Sequence, residues 1–193
     1  MGKNNSVYIL DVRYSVFPAV AFEVYKNMKR FTHHPISVAD IDNIIAYENL
    51  SWREWTFSRQ HYKSQIAVFA EGQRGVYLDS DKIVGNICTM RIIASSVNDI
   101  PPDINKLTDY GGFDTFAADG NMHIFHRITV ADEFRKHGLG EEIIKDIYNF
   151  SLTLTGVSLR CTFSKLSYGV IGKGMPIAEY CEGEHDPAIK FHN

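Results

Sequence analysis

Cysteine, basic charge and unbroken apolar sequence are all in short supply in this chain, and each shortage excludes something. Its three cysteines, Cys88, Cys161 and Cys181, are widely spaced and odd in number. That argues against a disulfide framework and for free thiols in a reducing compartment. Lysine and arginine total 20 against 23 aspartates and glutamates, a net charge of −3, so there is no basic footprint for nucleic acid. No apolar run approaches the ~20 residues that span a bilayer, and the polar Met1–Ser6 stretch lacks a signal-peptide core. Repeats and low-complexity tracts are absent. His33, His34 and His61 have no carboxylate or cysteine at ligand spacing, so no metal site is expected. What remains is 193 residues, 45% hydrophobic and 22% charged, the composition of a globular protein. The expectation is a single cytoplasmic domain over 1–193.

The pattern along the chain is mixed. Val7-Tyr8-Ile9-Leu10 reads as a strand and Ala19 to Arg30 as a helical stretch. Ser37-Val38-Ala39-Asp40 is a capping-box-like start for a helix with Ile41, Ile44, Ile45 and Tyr47 roughly on one side. An aromatic-rich helical stretch follows from about Trp52 to Phe69. The period then changes. Gly75–Leu78 and Lys82–Cys88 read as strands joined by the turn residues Asp79-Ser80-Asp81. Ser95 to Gly120 is polar and irregular, the kind of segment that serves as a cover over a site. Met122 to Val130 reads as a strand and Gly138 opens a helix. Leu139, Ile143, Ile147, Phe150 and Leu154 form that helix's apolar stripe, and Gly156 is placed to end it as C′. Val157 to Phe163 is a further strand. Strand, helix, strand predicts a βαβ crossover, which beside the upstream hairpin gives an α/β fold with a mixed, mostly antiparallel sheet flanked by helices.

The chemistry is concentrated in Ile128-Thr129-Val130-Ala131-Asp132-Glu133-Phe134-Arg135-Lys136-His137-Gly138-Leu139-Gly140. A strand ends, the chain turns, and a helix begins with two glycines. The first-turn amides of a helix have no intrahelical partner and carry the positive end of its dipole. Glycine lets an anion approach the backbone, and Arg135 and Lys136 add charge at the mouth. A pyrophosphate suits such a cradle. The segment lacks the Gly-Lys-Ser/Thr of a Walker loop and the third glycine of a dinucleotide fingerprint.

Arg-x-x-Gly-x-Gly, five residues after a strand ending Ile-x-Val, resembles motif A of the GNAT acyltransferase superfamily. The resemblance implies an acyl-coenzyme A thioester as substrate, without a metal. Its pyrophosphate would lie in a cradle spanning Arg135, Lys136, His137, Gly138, Leu139 and Gly140. Its pantetheine arm would pair with the backbone of Ile128 and Val130 like an added strand. Two further stretches resemble one branch of that superfamily. Gln65 to Gln73 is similar to a stretch with Phe-Pro-Glu-Gly-Gln, Ala70 standing for the proline. Ser167-Tyr168-Gly169, Met175–Tyr180 and Asp186–His192 point the same way. That branch includes GNAT-like domains of polyketide-synthase loading modules, which act on malonyl-type thioesters and load an acyl carrier protein.

The site residues follow from that resemblance. The position where many GNAT N-acetyltransferases carry a glutamate base is Ile124 here. Phe191-His192 stands where ordinary members have Phe-Tyr. In the loading branch, a histidine there and a threonine on the strand after motif A bond the thioester carbonyl, which implies roles for His192 and Thr162. Trp55, with Trp52 as second choice, resembles the tryptophan that walls the acyl pocket. His126 is the competing base. Strand alternation places His126 on the face of Ile124 and His123 on the opposite one, against a metal pair. Tyr168 and Tyr180 read as core tyrosines. The expected function is a loading-type acyltransferase that decarboxylates malonyl-CoA, passes an acetyl group to an acyl carrier protein, or both. The alternatives are an ordinary N-acetyltransferase acting on a small amine, and an inactive acyl-CoA-binding module. The resemblance also implies two further strands after the Phe-His helix, so the C-terminal end is expected to be truncated, with 1–35 as an N-terminal extension.

Overall fold

The computed structural model describes residues 7–11, 31–52, 56–96, 99–100 and 104–165, with only the backbone of 7–11, 104 and 163–165. The expected helix at Ala19–Arg30 and the stretches from Ser167 to His192 lie outside these. Six strands form one sheet: β1 (Val7–Asp11), β2 (Phe31–Pro35), β3 (Arg74–Leu78), β4 (Lys82–Ile92), β5 (Met122–Val130) and β6 (Leu159–Lys165). Their spatial order is β1-β6-β5-β4-β3-β2. All neighbours are antiparallel except β5 and β6, which are parallel. The helices are α1 (Ile41–Trp52), α2 (Arg59–Phe69), the short α3 (Ile104–Leu107) and α4 (Leu139–Thr153).

Local chemistry accounts for most of these boundaries. The Ser37 N–H and hydroxyl both donate to Asp40 Oδ2 at 2.7 Å, a reciprocal cap that starts a short 3-10 turn leading into α1. The second helix begins later than its aromatic composition predicts. Ser58 caps it, accepting from the His61 N–H at 3.3 Å, so Arg59 is its first residue. Asp79 and Ser80 turn the β3–β4 hairpin with φ of 52° and 75°, two left-handed residues supplied without glycine. At the end of α4, the C-cap is Leu154 and Gly156 has φ 80°. The left-handed glycine therefore lies one residue beyond the expected C′. The last strand starts at Leu159 rather than Val157.

The two faces of the sheet carry different layers. Ile41, Ile44 and Tyr47 of α1 and Tyr62 of α2 pack with Phe57 on Tyr77, Ile83 and Cys88. On the opposite face, Ile143 and Ile147 of α4 pack on Val76, Val84, Ile87 and Phe125. The segment after β4 is anchored rather than loose in its described parts. Leu107 and Phe113 are buried against Met90, Ile92, Met122 and Ile124, and Ser64 and Gln65 of α2 donate to the carbonyls of Gly112 and Gly111. Thus the expected cover is part of the core.

Two bulges interrupt the ladders. Between Val76↔Gly85 and Tyr77↔Ile83 an extra residue, Val84, sits on β4. Between Cys88↔Arg127 and Thr89↔Phe125 the extra residue is His126 on β5. A bulge places two consecutive side chains on one side of the sheet and bends the strand. This one brings Arg127 onto the α1 face beside His126.

Candidate functional site

The parallel pairing of β5 with β6 runs from Met122↔Leu159 to Phe125↔Thr162 and stops there among the described residues, while β5 continues to Val130. The backbone of an antiparallel strand points alternately to one neighbour and the other. The Ala131 N–H donates to the Val84 carbonyl at 2.9 Å, so Thr129 and Arg127 share its direction, toward β4. Ile128 and Val130 present their N–H and C=O groups to the opposite side, where β6 no longer pairs. The Val130 carbonyl accepts from Arg135 Nε at 3.0 Å.

Past β5, Asp132–Phe134 form a 3-10 turn, Lys136 takes φ 63° and Gly138, the N-cap of α4, takes φ 77°. Such a conformation is open to glycine and strained for most other residues. The Glu142 N–H donates to the Gly138 carbonyl, so the amides of Leu139, Gly140 and Glu141 precede that bond at the positive end of α4. The Leu139 side chain is buried under the helix, so any part it takes is through its backbone. Lys136 and His137 are exposed. The Arg135 guanidinium is spent on the loop itself, reaching Val130 O, Ser51 Oγ and Asp132 Oδ1. It braces the turn against the end of α1.

On the α1 face of β5 lies a polar cluster that inspection of the motif missed. Glu48 is fully buried, and its Oε2 accepts from Arg127 Nη1 at 3.1 Å. Its Oε1 accepts from Thr129 Oγ1 at 3.1 Å, and Thr129 Oγ1 in turn accepts from Trp52 Nε1 at 2.7 Å. Arg127 stacks over the Trp52 ring at 4.9 Å and the Phe57 ring at 3.9 Å. The Tyr47 hydroxyl donates to Asn86 Oδ1 at 2.7 Å. A signal for Glu48 was present: it stands seven residues after Ile41 and four after Ile44, on the buried stripe of the helix.

His126 and Thr162 lie at the point where the strands part. Thr162 is buried and its hydroxyl donates to the Phe125 carbonyl at 3.2 Å. His126 packs against Phe57 and Phe113, with ring centroids at 6.0 and 5.3 Å. Burial, and then the charge of Arg127, push its imidazole down to about 3. His123 lies on the α4 face as alternation predicts, bonded to Ser151 and Thr89. The thiols of Cys88 and Cys161 are buried and pushed up to about 12, chiefly by desolvation. Trp55 and His192 lie outside the described residues. Trp52, the second choice, stands against β5 through its bond to Thr129.

The architecture has counterparts among solved structures. The loading GNATL domain of CurA from Lyngbya majuscula matches 84% of this chain and 81% of its own length, with a TM-score of 0.72 at 21% identity. The chain has the GNAT fold. The GphF GNAT-like decarboxylase, solved in complex with isobutyryl-CoA, matches 84% of this chain and 83% of its own, with a TM-score of 0.68 at 18% identity. A third match with this GNAT fold is a GCN5-related glucosamine N-acetyltransferase region of a fungal multi-domain β-N-acetylglucosaminidase. Its TM-score is 0.50 at 15% identity, over 84% of this chain and 18% of that one. No protein-family model matches the chain, and no curated protein does. Among the described residues, no helix is long and apolar enough to cross a membrane.

Proposed function

We propose that the chain binds an acyl-coenzyme A thioester along the outer edge of β5 and processes its acyl group where β5 and β6 part. The observation that carries this reading is the early end of the β5–β6 pairing at Phe125↔Thr162, with the outward backbone of Ile128 and Val130 beyond it. An extended pantetheine arm supplies amides that can pair with such an edge as a strand would. From Val130 to His126 the strand covers about 13 Å at roughly 3.3 Å per residue. Past its Val130 end, the first-turn amides of α4 and the left-handed backbone at Lys136 and Gly138 suit a pyrophosphate.

The acyl end favours loading-type chemistry over amine acetylation. Loss of carbon dioxide from a malonyl thioester breaks the bond between the carboxylate and the α-carbon and leaves the electron pair on an enolate. The enolate then takes a proton, giving the acetyl thioester. Hydrogen-bond donors at the developing oxyanion lower that barrier. The resemblance gives that task to His192 and Thr162, and the Thr162 hydroxyl, which donates to the Phe125 carbonyl at the parting of the strands, would turn from it to the oxyanion. Acylation of an amine instead calls for a proton acceptor, and a buried imidazole as weakly basic as His126 serves poorly. The buried, protonated thiols of Cys88 and Cys161 are likewise poor nucleophiles, which favours direct passage of the acetyl group to the thiol of an acyl carrier protein.

Mass spectrometry of the protein incubated with malonyl-CoA, with and without a phosphopantetheinylated carrier protein, tests this reading. Acetyl-CoA or acetyl-carrier is the expected product. Unchanged malonyl-CoA, with CoA binding seen by calorimetry, would remove the decarboxylase reading and leave the binding module. Acetylated amine from acetyl-CoA would favour the N-acetyltransferase reading.

A further inference from the structure

Among the described residues, His126 on the α1 face has both of its buried ring nitrogens left unpaired by the fold. It is 7% exposed, and neither Nδ1 nor Nε2 has a hydrogen-bond partner among those residues. A neutral imidazole always carries one donor and one acceptor, and buried polar groups are ordinarily paired. Three residues earlier on the same strand, His123 follows that rule. Its Nδ1 and Nε2 lie 2.8 Å from Ser151 Oγ and Thr89 Oγ1. Burial in this strand therefore does not of itself leave a histidine unpaired.

The surroundings define what could pair with it. The Phe57 and Phe113 rings stand 6.0 and 5.3 Å from the imidazole. The nearest charge along the chain, Arg127, is held by Glu48 at 3.1 Å. His126 is also the extra residue of the β5 bulge, the first position after the last parallel pair. A ligand reaching it along the strand edge would meet two aromatic walls and one polar ring. Such a site takes a neutral acceptor oxygen on a small apolar group.

We propose that His126 is the carbonyl-binding residue of the acyl subsite, donating its ring N–H to the thioester oxygen of a short acyl group held between Phe57 and Phe113. This rests on the acyl-CoA reading and adds to it a donor from β5 itself. No proton leaves the ring: the imidazole stays neutral, in keeping with its depressed basicity, and acts by polarising the carbonyl.

The test is difference infrared spectroscopy of carbonyl-¹³C acetyl-CoA bound to the full-length wild-type chain and to the His126→Phe and His126→Gln variants. The thioester band is expected to move to lower frequency on the wild type and on His126→Gln, which keeps a donor. On His126→Phe it is expected to stay at its solution position. Turnover of a thioester substrate should fall roughly hundredfold in His126→Phe, the scale of losing one such donor, while its melting temperature rises because two unpaired polar atoms are gone. Identical bands and rates for wild type and His126→Phe would overturn the proposal while leaving the acyl-CoA reading intact. If His126→Phe does not fold, His126→Leu takes its place. Failure of the wild type to bind acetyl-CoA would overturn both.

Discussion

His123 and His126 show what a side chain's partners add to its burial. At His123 the hydrogens can be assigned by accounting alone. Thr89 Oγ1 spends its proton on the Gly72 carbonyl at 2.8 Å, so it must accept from His123 Nε2, which leaves Nδ1 to accept from the Ser151 hydroxyl. That hydroxyl oxygen in turn accepts from Arg160 Nε at 2.9 Å. Both imidazoles are pushed down to about 3, first by desolvation, then by Arg91 and Arg160 at His123 and by Arg127 and His123 at His126. An unfolded histidine titrates near 6.5, so between about pH 6.5 and 3 the unfolded chain binds more protons than the folded one. Stability from these groups is therefore complete above about pH 7 and falls on acidification, by about 1.4 kcal/mol per pH unit for each histidine. Urea midpoints at pH 7.5 and 5.5 should show a loss of about 2–3 kcal/mol in the wild type, and about half of that in His126→Phe. Equal losses in the two proteins would mean that His126 is not buried in its neutral form. Alternation in the sequence assigns these two histidines to opposite faces correctly. Their bonding is not legible there, because it depends on Thr89 and Ser151, which are 34 and 28 residues away from His123.

Among the elements, α1 and β5 are clipped together by Glu48 and Arg127. A carboxylate with no exposure facing a guanidinium that is 10% exposed is a pair whose halves cannot be removed singly without leaving an uncompensated buried charge. Arg127→Met is expected to destabilise by about 3–5 kcal/mol, and adding Glu48→Gln should recover much of that loss. A double-mutant cycle by urea denaturation checks this, and additive losses would show that the two residues do not act as a pair. The strands and helices of this region were legible in outline. The Ser37–Asp40 cap, the turn at Asp79-Ser80 and the strand at Met122–Val130 all follow from local residue chemistry. The bulge at His126 does not, since one additional residue leaves the apolar pattern of β5 almost intact while moving Arg127 to the other face. Only the register against Cys88 and Thr89 reveals it, and with it the Arg127–Glu48 pair. The late start of α2 has a different cause: the aromatics between Trp52 and Ser58 resemble a helix in composition, whereas the cap at Ser58 decides where the helix begins.

Across the whole molecule, the strands nearest the start of the chain take the two outer positions of the sheet. β2 covers β3 at one edge, and β1 covers β6 at the other through pairs from Val7↔Lys165 to Asp11↔Cys161. The resemblance to the GNAT superfamily implies a truncated C-terminal end and sets 1–35 apart as an N-terminal extension. A strand at Val7–Leu10 was legible, but its partner was not, because pairing across more than 150 positions leaves no local trace. A variant lacking residues 1–11 should present the outer edge of β6 as an unpaired template. Relative to the full chain, it is expected to form concentration-dependent larger species by size exclusion with light scattering, and to unfold at lower urea. Unchanged elution and an unchanged midpoint would refute the covering role of β1. The same placement sets a timetable. β1 emerges from the ribosome before the other strands of the sheet, and its partner β6 is completed about 150 residues later, an interval of roughly 10–30 s at ordinary rates of synthesis. Throughout that interval an apolar, strand-forming segment has nowhere native to go, so the sheet is closed by the order in which the chain is born as well as by the contacts it finally makes.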